Sequence, residues 1–371
     1  MSHRRIWSVA PGRPRPGIGS RAGSDSWGRR RPAPDDAGAG PRTRRREETA
    51  GGIIRPPSRS EAPVMDSPLS ASVSAIVVVL GDDPRLHECL AALAAEVRET
   101  GLGIEVVVVE NAARGEAPAL PLEPAKRIRR EANPGYAASA AEAIEATTGD
   151  YVLTLNPDAT VHAGSVARAV AVLDSEPDVG AVAFRLVRTD GTTLDSAGIR
   201  LGPIRRARDR GMGEPAEGAF TTRDDVDAAC MACALFRRSA LDAARDGAGE
   251  VLDRRFFAYK EDVDLGWRLR RAGFRVAYVP DAVATHERGW KERGRQTIPL
   301  ELRILSLRNR WWTILKNESA LSLLLRMALY VSVEVMLVLF LLVTEPGVVR
   351  AYPRIVLGIP GTLRRRKSRP R

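Results

Sequence analysis

Two short segments of the sequence carry side chains suited to cation, phosphate and proton chemistry. Asn156-Pro157-Asp158 directly follows the apolar run Tyr151–Leu155, and Asp158 can hold Mg²⁺ or Mn²⁺ against a diphosphate through its oxygen atoms. The segment 256–265, FFAYKEDVDL, places three acidic residues within four positions after an aromatic cluster. A carboxylate beside an apolar wall can act as the base for a hydroxyl nucleophile, although acidic residues at the start of a helix also stabilise its dipole.

Further polar residues lie at comparable positions along the chain. Glu110 and Asn111 follow the apolar run 104–109, and a carboxylate at Glu110 can accept the ring N–H of a pyrimidine base. The segment 133–136, NPGY, comes between this run and the next one. His286 follows a later strand; a single histidine in such a position is more often structural than a ligand, so both interpretations stay open.

The elements that must position these residues alternate between strands and helices. Residues 73–80, VSAIVVVL, form a continuous apolar run of the kind buried on both faces of a parallel sheet. Leu86, Leu90 and Leu93 then repeat at helical spacing before the second apolar run at 104–109. A strand, a helix and a strand within about 40 residues form a βαβ unit, which predicts a parallel sheet with ligands at the carboxyl ends of its strands.

The same alternation continues through the rest of the chain, so the predicted fold class is α/β. The further predicted elements are strands at 127–129, 151–155, 181–187 and 275–279, and helices over 137–146, over 165–173 and from Glu261. Residues 202–218 are predicted to form a charged, glycine-rich loop, and Pro280 is predicted to form a turn after the last strand.

The motifs occur in an order that resembles the family 2 glycosyltransferases, in particular their bacterial rhamnosyltransferase-like branch. The resemblance covers residues 73–316 and rests on the motifs VVVVENA, NPGYAASAAEAI, GDYVLTLNPDAT, DAACMACALFRRSAL, FFAYKEDVDLGWRLRRAGFRVAYVP, THERG and RNRWWTILKN. It implies the GT-A fold, a Rossmann-like domain that binds a nucleotide-diphosphate sugar. It also implies a divalent cation and inversion at the anomeric carbon.

The resemblance assigns roles to individual residues of the reaction site. Asp158 corresponds to the metal and diphosphate residue, and Asn156 stands where a second aspartate often does. Because one metal carboxylate is then missing, His286 becomes the expected second metal ligand. Asp262, with Glu261 beside it, resembles the catalytic base that takes the proton from the acceptor hydroxyl.

The donor site implied by the resemblance contains Asn156 and Asp158 together with Glu110 and three residues of the NPGY segment, Asn133, Gly135 and Tyr136. The chain departs from the family pattern at two places. Leu80-Gly81-Asp82-Asp83 follows the first strand in place of the usual Asn-Tyr-Asn type of turn, and Glu110 replaces the base-binding aspartate. Since glutamate can make the same hydrogen bond after a small shift, recognition of uridine or thymidine remains the expectation.

The net charge of +11 is concentrated at the two ends of the chain. Residues 1–64 hold 14 Arg and no Lys against 6 acidic residues, and the last eight residues, RRRKSRPR, are also strongly basic. A nucleic-acid-binding domain should carry its basic surface on the folded part, so nucleic acid is not an expected partner. We predict a disordered basic leader over 1–70, with Met65 as an alternative start, followed by the GT-A domain over 71–316.

The sequence predicts a membrane-associated helix over 317–345 and a basic C-terminal tail over 346–371. The 23 residues 321–343 are long enough to span a bilayer, yet Ser322, Arg326, Tyr330 and Glu334 recur every four residues and form one polar stripe. Three alternatives stay open, namely an interfacial or re-entrant helix, a span, and a packing helix of a soluble protein. An anionic membrane surface at the cytoplasmic face is the expected partner, because nucleotide sugars are cytosolic.

The functional hypothesis is transfer of rhamnose or a similar sugar from a dTDP or UDP donor. The acceptor would be a glycan or polyprenyl-linked intermediate of cell-envelope polysaccharide synthesis. The alternatives are a catalytically degenerate GT-A domain that acts as a membrane-associated binding protein, or a nucleotidyltransferase, for which the segment 80–84 offers only one glycine. The basic loop 205–210 is either a solvated loop or a site for the diphosphate of a lipid-linked acceptor.

Overall fold

The computed structural model describes residues 72–288 and 297–366. The predicted leader over 1–70 lies outside these residues, as do positions 367–371 of the predicted basic tail. Twelve strands are present in the described part of the chain: β1 Val73–Leu80, β2 Ile104–Asn111, β3 Lys126–Arg130, β4 Tyr151–Leu155, β5 Ala159–Val161, β6 Val179–Val187, β7 Leu194–Ser196, β8 Ile199–Leu201, β9 Ala207–Asp209, β10 Asp224–Asp225, β11 Cys233–Arg237 and β12 Arg275–His286.

Eight α-helices accompany the strands within the described ranges. They are α1 Arg85–Thr100, α2 Tyr136–Glu145, α3 Ser165–Ser175, α4 Arg238–Ala243, α5 Glu261–Arg271, α6 Leu300–Asn317, α7 Ala320–Thr344 and α8 Ala351–Arg364. Two short 3₁₀ helices occupy 254–256 and 346–350.

The first half of the main sheet is parallel, as the apolar runs predict. β1 pairs in parallel with both β2 and β4, and β3 adds to the far edge of β2. The register aligns Leu80 with Asn111, so the carboxyl ends of β1 and β2 lie at the same edge. The α/β class and the βαβ unit are therefore confirmed.

The second half of the sheet is mixed. β11 runs antiparallel between β4 and β6, and β12 pairs in parallel with β6. The predicted turn at Pro280 is wrong: β12 continues to His286 through an irregularity between Val279 and Val283. Proline lacks the N–H that a ladder needs, so the strand loses pairing there and then regains it. Beyond the irregularity, β12 pairs antiparallel with the short strand β5.

Helices cover both faces of the sheet and bury its apolar side chains. Leu90 of α1 and Val170 of α3 pack on one face, in a cluster that also contains Val77 and Leu153 of the central strands. Ile144 of α2 and Leu265 of α5 belong to the cluster on the opposite face. The domain is thus a three-layer α/β sandwich, in which α5 lies on the same side as α2.

Part of the predicted loop over 202–218 is ordered differently from the expectation. β8 and β9 pair antiparallel and form a hairpin with its tip at 202–206. Arg205 at the tip pairs with Glu318 and lies over the ring of Trp267, whereas Arg206 and Arg208 are exposed. Arg205 of this loop therefore packs against the protein, whereas Arg206 and Arg208 remain on its surface.

The predicted basic tail is also partly a packed element. Residues 351–364 form α8, which lies against α6, with Gly358 so close to the Trp312 ring that a Cβ would stand 2.1 Å from it. Arg365 pairs with Asp246 and Glu250, so this basic residue attaches the end of α8 to the domain.

α7 is the one helix in the described residues that is long and apolar enough to cross a membrane, judged by length and composition alone. Its polar stripe faces the protein. Arg326 donates to the Pro203 carbonyl, and Glu334 accepts hydrogen bonds from the Trp311 indole and the Tyr352 hydroxyl. The opposite face is apolar and exposed, with Leu325 at 75% and Val343 at 85% exposure.

Candidate active site

Asp158 and His286 are brought together by the pairing of β5 with β12. Asn156, just after β4, donates its backbone N–H to the Ala232 carbonyl and starts the turn that contains Asp158. β5 begins at Ala159, whose Cα partner in β12 is His286. As a result, Nε2 of His286 lies 3.5 Å from Oδ1 of Asp158.

A buried aspartate orients this histidine. Asp195, which is fully buried, lies 2.8 Å from Nδ1 of His286 through its Oδ2 atom. A carboxylate on one ring nitrogen fixes the tautomer and leaves the other nitrogen directed at a ligand. Sequence reasoning missed Asp195, because its strand, β7, is only three residues long and carries no motif.

The pair fits a divalent cation. Oδ1 of Asp158 is buried without a hydrogen-bond partner, which is the state expected of a ligand atom. Asp158 and His286 could supply two ligands, and no cluster of three or more His, Cys, Asp or Glu in the described part of the chain could hold a metal. Oxygen atoms of a diphosphate and water would have to complete the shell, as is usual for Mg²⁺ sites.

The charge of the site changes with occupancy. Burial lowers the pKa of His286, but the neighbouring Asp158 and Asp195 outweigh it and raise the pKa to about 9. Without a cation, the imidazole therefore carries a proton at neutral pH. A divalent cation would replace that proton, so its affinity should increase with pH.

Arg85 is a second residue that sequence reasoning missed. It stands at the start of α1, where two hydrogen bonds to the Asp83 carboxylate, of 2.9 and 2.6 Å, hold its guanidinium. Its Nη1 atom lies 3.6 Å from Oδ2 of Asp158. The unusual turn after the first strand thus places the positively charged guanidinium group of Arg85 at the predicted diphosphate site.

Glu110 lies at the end of β2, as predicted, but its carboxylate is already engaged. It is 4% exposed and pairs with Arg127, at 2.5 Å, and with Arg129. The parallel register of β3 brings both arginines alongside it. A base that approaches this corner would meet the two guanidinium groups as well as the carboxylate.

The NPGY segment is locked onto the aromatic loop that precedes α5. The Asn133 side chain accepts the Gly135 N–H at 3.0 Å, and Gly135 has a φ of 94°. A Cβ at Gly135 would stand 2.5 Å from the Phe257 carbonyl oxygen, so only glycine permits this approach. Ala137 also donates its N–H to that oxygen, at 3.1 Å.

Glu261 and Asp262 begin α5, with the Glu261 side chain buried and the Asp262 side chain half-buried. Oε2 of Glu261 has no hydrogen-bond partner, whereas Asp262 accepts the N–H of Val263. Burial, followed by the charge of Asp262, raises the pKa of Glu261 to about 8, and burial also raises the pKa of Asp262. Burial thus favours the protonated form of both carboxyl groups.

The third acidic residue of the segment has a structural role. Asp264 is buried, lies 2.7 Å from Nζ of Lys316 and accepts a hydrogen bond from Asn317. It also pairs with Arg268 one turn later on α5. Asp264 therefore ties α5 to α6.

Tyr136 connects the separate parts of the site. Burial raises its pKa well above 10, and the charges of Glu261, Asp262 and Asp158 raise it further. Its hydroxyl donates to the carbonyl of Met231, and the next residue, Ala232, accepts the Asn156 N–H at the start of the Asp158 turn. The structure brings Asp158, His286, Tyr136, Glu261 and Asp262 to one region of the domain.

Comparison with known proteins finds a matching family model and several similar proteins. Residues 74–245 match the family model described as glycosyl transferase family 2. The N-acetylglucosaminyl-diphospho-decaprenol L-rhamnosyltransferase of Mycobacterium tuberculosis (strain ATCC 25618 / H37Rv) is 27% identical over 240 residues, which are 57% of this chain and 75% of that protein. An N-acetylglucosaminyltransferase of Sinorhizobium fredii (strain NBRC 101917 / NGR234) is 30% identical over 234 residues, 61% of this chain and 55% of that protein.

A solved structure of GalNAc-T7 with UDP, GalNAc and Mn²⁺ aligns with a TM-score of 0.46 and 13% identity, over 66% of this chain and 48% of that one. The chain thus spans about half the length of the last two proteins. The match over residues 74–245 supports the predicted resemblance to glycosyl transferase family 2. The mixed sheet with helices on both faces agrees with the predicted α/β fold class.

Proposed function

We propose that the protein is an inverting, metal-dependent glycosyltransferase that acts on an envelope glycan or a polyprenyl-linked acceptor. The donor would be a dTDP or UDP derivative of rhamnose or a related sugar. The observation that carries the proposal is the shared position of two different carboxylate sets. Asp158 with His286 suits a cation and a diphosphate. The raised pKa values of Glu261 and Asp262 suit proton transfer. Carboxylates of both sets raise the pKa of Tyr136.

The roles follow from the chemistry of each group. The acceptor hydroxyl oxygen attacks the anomeric carbon, its proton passes to the carboxylate of Asp262, and the bond from that carbon to the diphosphate oxygen breaks on the opposite face. Glu261 keeps the proton affinity of the pair high. Asp158 and His286 would hold the cation, which when bound supplies positive charge to the departing diphosphate. Arg85 adds a fixed positive charge at the same place.

The proposed donor site includes Asn133, Gly135, Tyr136 and Asn156, with Glu110 at the base. The names of the relatives support the choice of substrates. The Mycobacterium tuberculosis protein is named for L-rhamnose transfer and for an N-acetylglucosaminyl-diphospho-decaprenol. Arg127 and Arg129, which pair with Glu110, would also lie beside the base, and the choice of base is tested by comparing donors with different nucleotides.

We also propose that the protein binds the cytoplasmic face of the membrane through α7. Its polar stripe is used inside the protein, so the exposed apolar face is free to enter the interface of a bilayer. In this arrangement α7 lies in the plane of an anionic leaflet and does not cross it. The exposed Arg206 and Arg208 of the adjacent hairpin then suit lipid phosphate.

The test is nucleotide release from a panel of dTDP, UDP and GDP sugars, with and without Mn²⁺. We expect release with at least one donor, and its loss in Asp158→Ala and Asp262→Asn. Activity retained in both variants would favour a binding protein with a degenerate site. Release of pyrophosphate from a nucleoside triphosphate would favour a nucleotidyltransferase.

A further inference from the structure

The loop 256–260, between the 3₁₀ helix and α5, has an unusual backbone. Phe257, Tyr259 and Lys260 have φ values of 66°, 73° and 73°, in the left-handed region that residues other than glycine seldom occupy. Ala258 donates its N–H to the Phe256 carbonyl at 2.8 Å, which closes a tight three-residue turn around Phe257. Such a backbone persists only where its surroundings hold it in place.

The side chain of Asn309 supplies that support. Asn309 lies on α6 and is fully buried, and its Nδ2 atom donates to the carbonyls of Phe256 at 2.9 Å, Ala258 at 3.0 Å and Tyr259 at 2.8 Å. One amide group thus ties down three of the five carbonyls in the loop. Hydrophobic residues could fill the same space but could not replace these donors.

The amide is itself oriented by its neighbour. Arg308 donates from Nε to Oδ1 of Asn309 at 3.0 Å, which directs the Nδ2 atom toward the loop. The same guanidinium donates to the carbonyls of Arg255 and Phe256. Two consecutive residues of α6 therefore hold the start of the loop.

The loop connects the two halves of the candidate active site. At one end it leads directly into Glu261 and Asp262. In its middle, Phe257 fills the space beside Gly135 and accepts the Ala137 N–H. A shift of this loop would move the carboxylates relative to the NPGY segment of the donor site.

We propose that Asn309 is a positioning residue for glycosyl transfer, which holds the loop 256–260 so that the carboxylates of α5 face the donor site. The inference rests on the proposed function and assigns a role in it to a residue of α6 that lies behind the loop 256–260. The NPGY segment keeps its own anchors, including the hydrogen bond from the Gly135 N–H to the Asn133 side chain and that from the Tyr136 hydroxyl to the Met231 carbonyl. Loss of Asn309 should therefore affect turnover more than nucleotide binding.

The decisive variant is Asn309→Leu, which keeps the volume and removes the donors. We expect kcat to fall roughly 10- to 100-fold, since small misplacement of reacting groups is costly, while the Kd of UDP or dTDP changes less than about two-fold. Asn309→Gln retains the donors and should recover part of the kcat. The matched control is Asn317→Leu, which removes another buried amide of α6 whose hydrogen bonds go to Asp264 and Thr313 rather than to the loop.

Hydrogen exchange provides a readout that needs no activity. The amides of residues 258–262 should exchange faster in Asn309→Leu than in Asn317→Leu at equal loss of thermal stability. Equal exchange and equal kcat in the two variants would overturn the inference. If the wild-type chain releases no nucleotide from any donor, the proposed function fails, and the exchange measurement still decides whether Asn309 holds the loop. If Asn309→Leu does not fold, the same comparison is made with Asn309→Asp, which keeps the shape and removes the amide donors, and unchanged kcat and exchange in that variant would also overturn the inference.

Discussion

The imidazole of His286 faces the carboxylate of Asp158, with Nε2 3.5 Å from Oδ1, because β12 regains its pairing after Pro280 and ends beside β5. The two residues are far apart in sequence, with Asp158 in the turn before β5 and His286 at the end of β12. Their distance is set by one strand pair, and Asp195 fixes the ring between them. The proposed cation site therefore depends on the pairing of β5 with β12 and on the buried carboxylate of Asp195.

The first prediction concerns Asp195. We expect Asp195→Asn to weaken Mn²⁺ binding in the presence of UDP about 10- to 100-fold, because the imidazole loses the carboxylate that orients it. A Mn²⁺ titration followed by electron paramagnetic resonance measures the affinity. Asp242→Asn, an exposed carboxylate on α4, is the control and should bind Mn²⁺ as the wild type does. Equal affinity in both variants would show that Asp195 does not support a cation site.

The second prediction concerns the pH dependence of stability at Glu261. Its pKa in the folded chain is raised to about 8 from the ordinary value of 4.5. The folded state then binds more protons than the unfolded state, so the free energy of unfolding falls as pH rises from about 4.5 through about 8. Glu261→Gln removes the ionisable group that causes this pH dependence. We expect it to gain stability over the wild type by a few kcal/mol at pH 9 and by little at pH 4.5.

Urea unfolding at the two pH values measures that difference. The sign is the test, since a gain that is larger at pH 4.5 than at pH 9 contradicts the raised pKa. Glu99→Gln, at an exposed position of α1, should show no such change with pH.

The sequence predicts the parallel half of the sheet because its strands are continuous apolar runs, and it predicts the polar stripe of α7 because the stripe repeats every four residues. It does not predict the partner of Asp158, since β5 has only three residues and Pro280 resembles the end of a strand. The role of Asn309 is equally hidden. The residues next to Asn309 in sequence do not predict contact with a loop about 50 residues earlier. The left-handed backbone of that loop is also not predicted by local propensity.

The third prediction concerns Arg85. We expect Arg85→Ala to raise the KM for the donor about ten-fold with a smaller effect on the acceptor, since the guanidinium lies 3.6 Å from Asp158 at the proposed diphosphate site. Initial rates at varied donor concentration measure this. Arg98→Ala, an exposed arginine at the other end of α1, removes the same charge without approaching the site. A KM that changes equally in both variants would mean that Arg85 acts only through the net charge.

The fourth prediction concerns the exposed face of α7. We expect Leu325→Glu to reduce binding to vesicles of phosphatidylglycerol and phosphatidylcholine at least about ten-fold, because it places a charge on the apolar face. Leu325→Ile is the matched control and should bind as the wild type does. Vesicle flotation measures the bound fraction.

A protease-accessible tag after the last residue distinguishes the orientation of α7. If α7 lies in the plane of the membrane, the tag is cleaved from the same side as the catalytic domain. Protection of the tag in sealed vesicles would mean that α7 crosses the bilayer.

The fifth prediction concerns Lys316, whose ammonium group is 1% exposed among the carboxylates of Asp264, Asp253 and Asp246. Lys316→Met removes one cation and leaves those buried carboxylates undercompensated, so we expect a loss of about 3–5 kcal/mol in the free energy of unfolding. Urea unfolding with an unchanged m-value checks this, and Lys126→Met, an exposed lysine at the start of β3, is the control.

The same variant has a predictable dependence on pH. Burial opposes ionisation of Asp253, but the hydrogen bond from Arg255 and the charge of Lys316 hold its pKa well below the ordinary value of 3.8. A lowered pKa contributes stability above pH 3.8 that is lost as pH falls through the folded-state value. Because Lys316 provides part of that shift, the difference between Lys316→Met and the wild type should shrink as the solution is acidified below pH 3.8. A difference that stays constant would assign the effect of Lys316 to packing against the Phe256 ring, 5.1 Å away, rather than to charge.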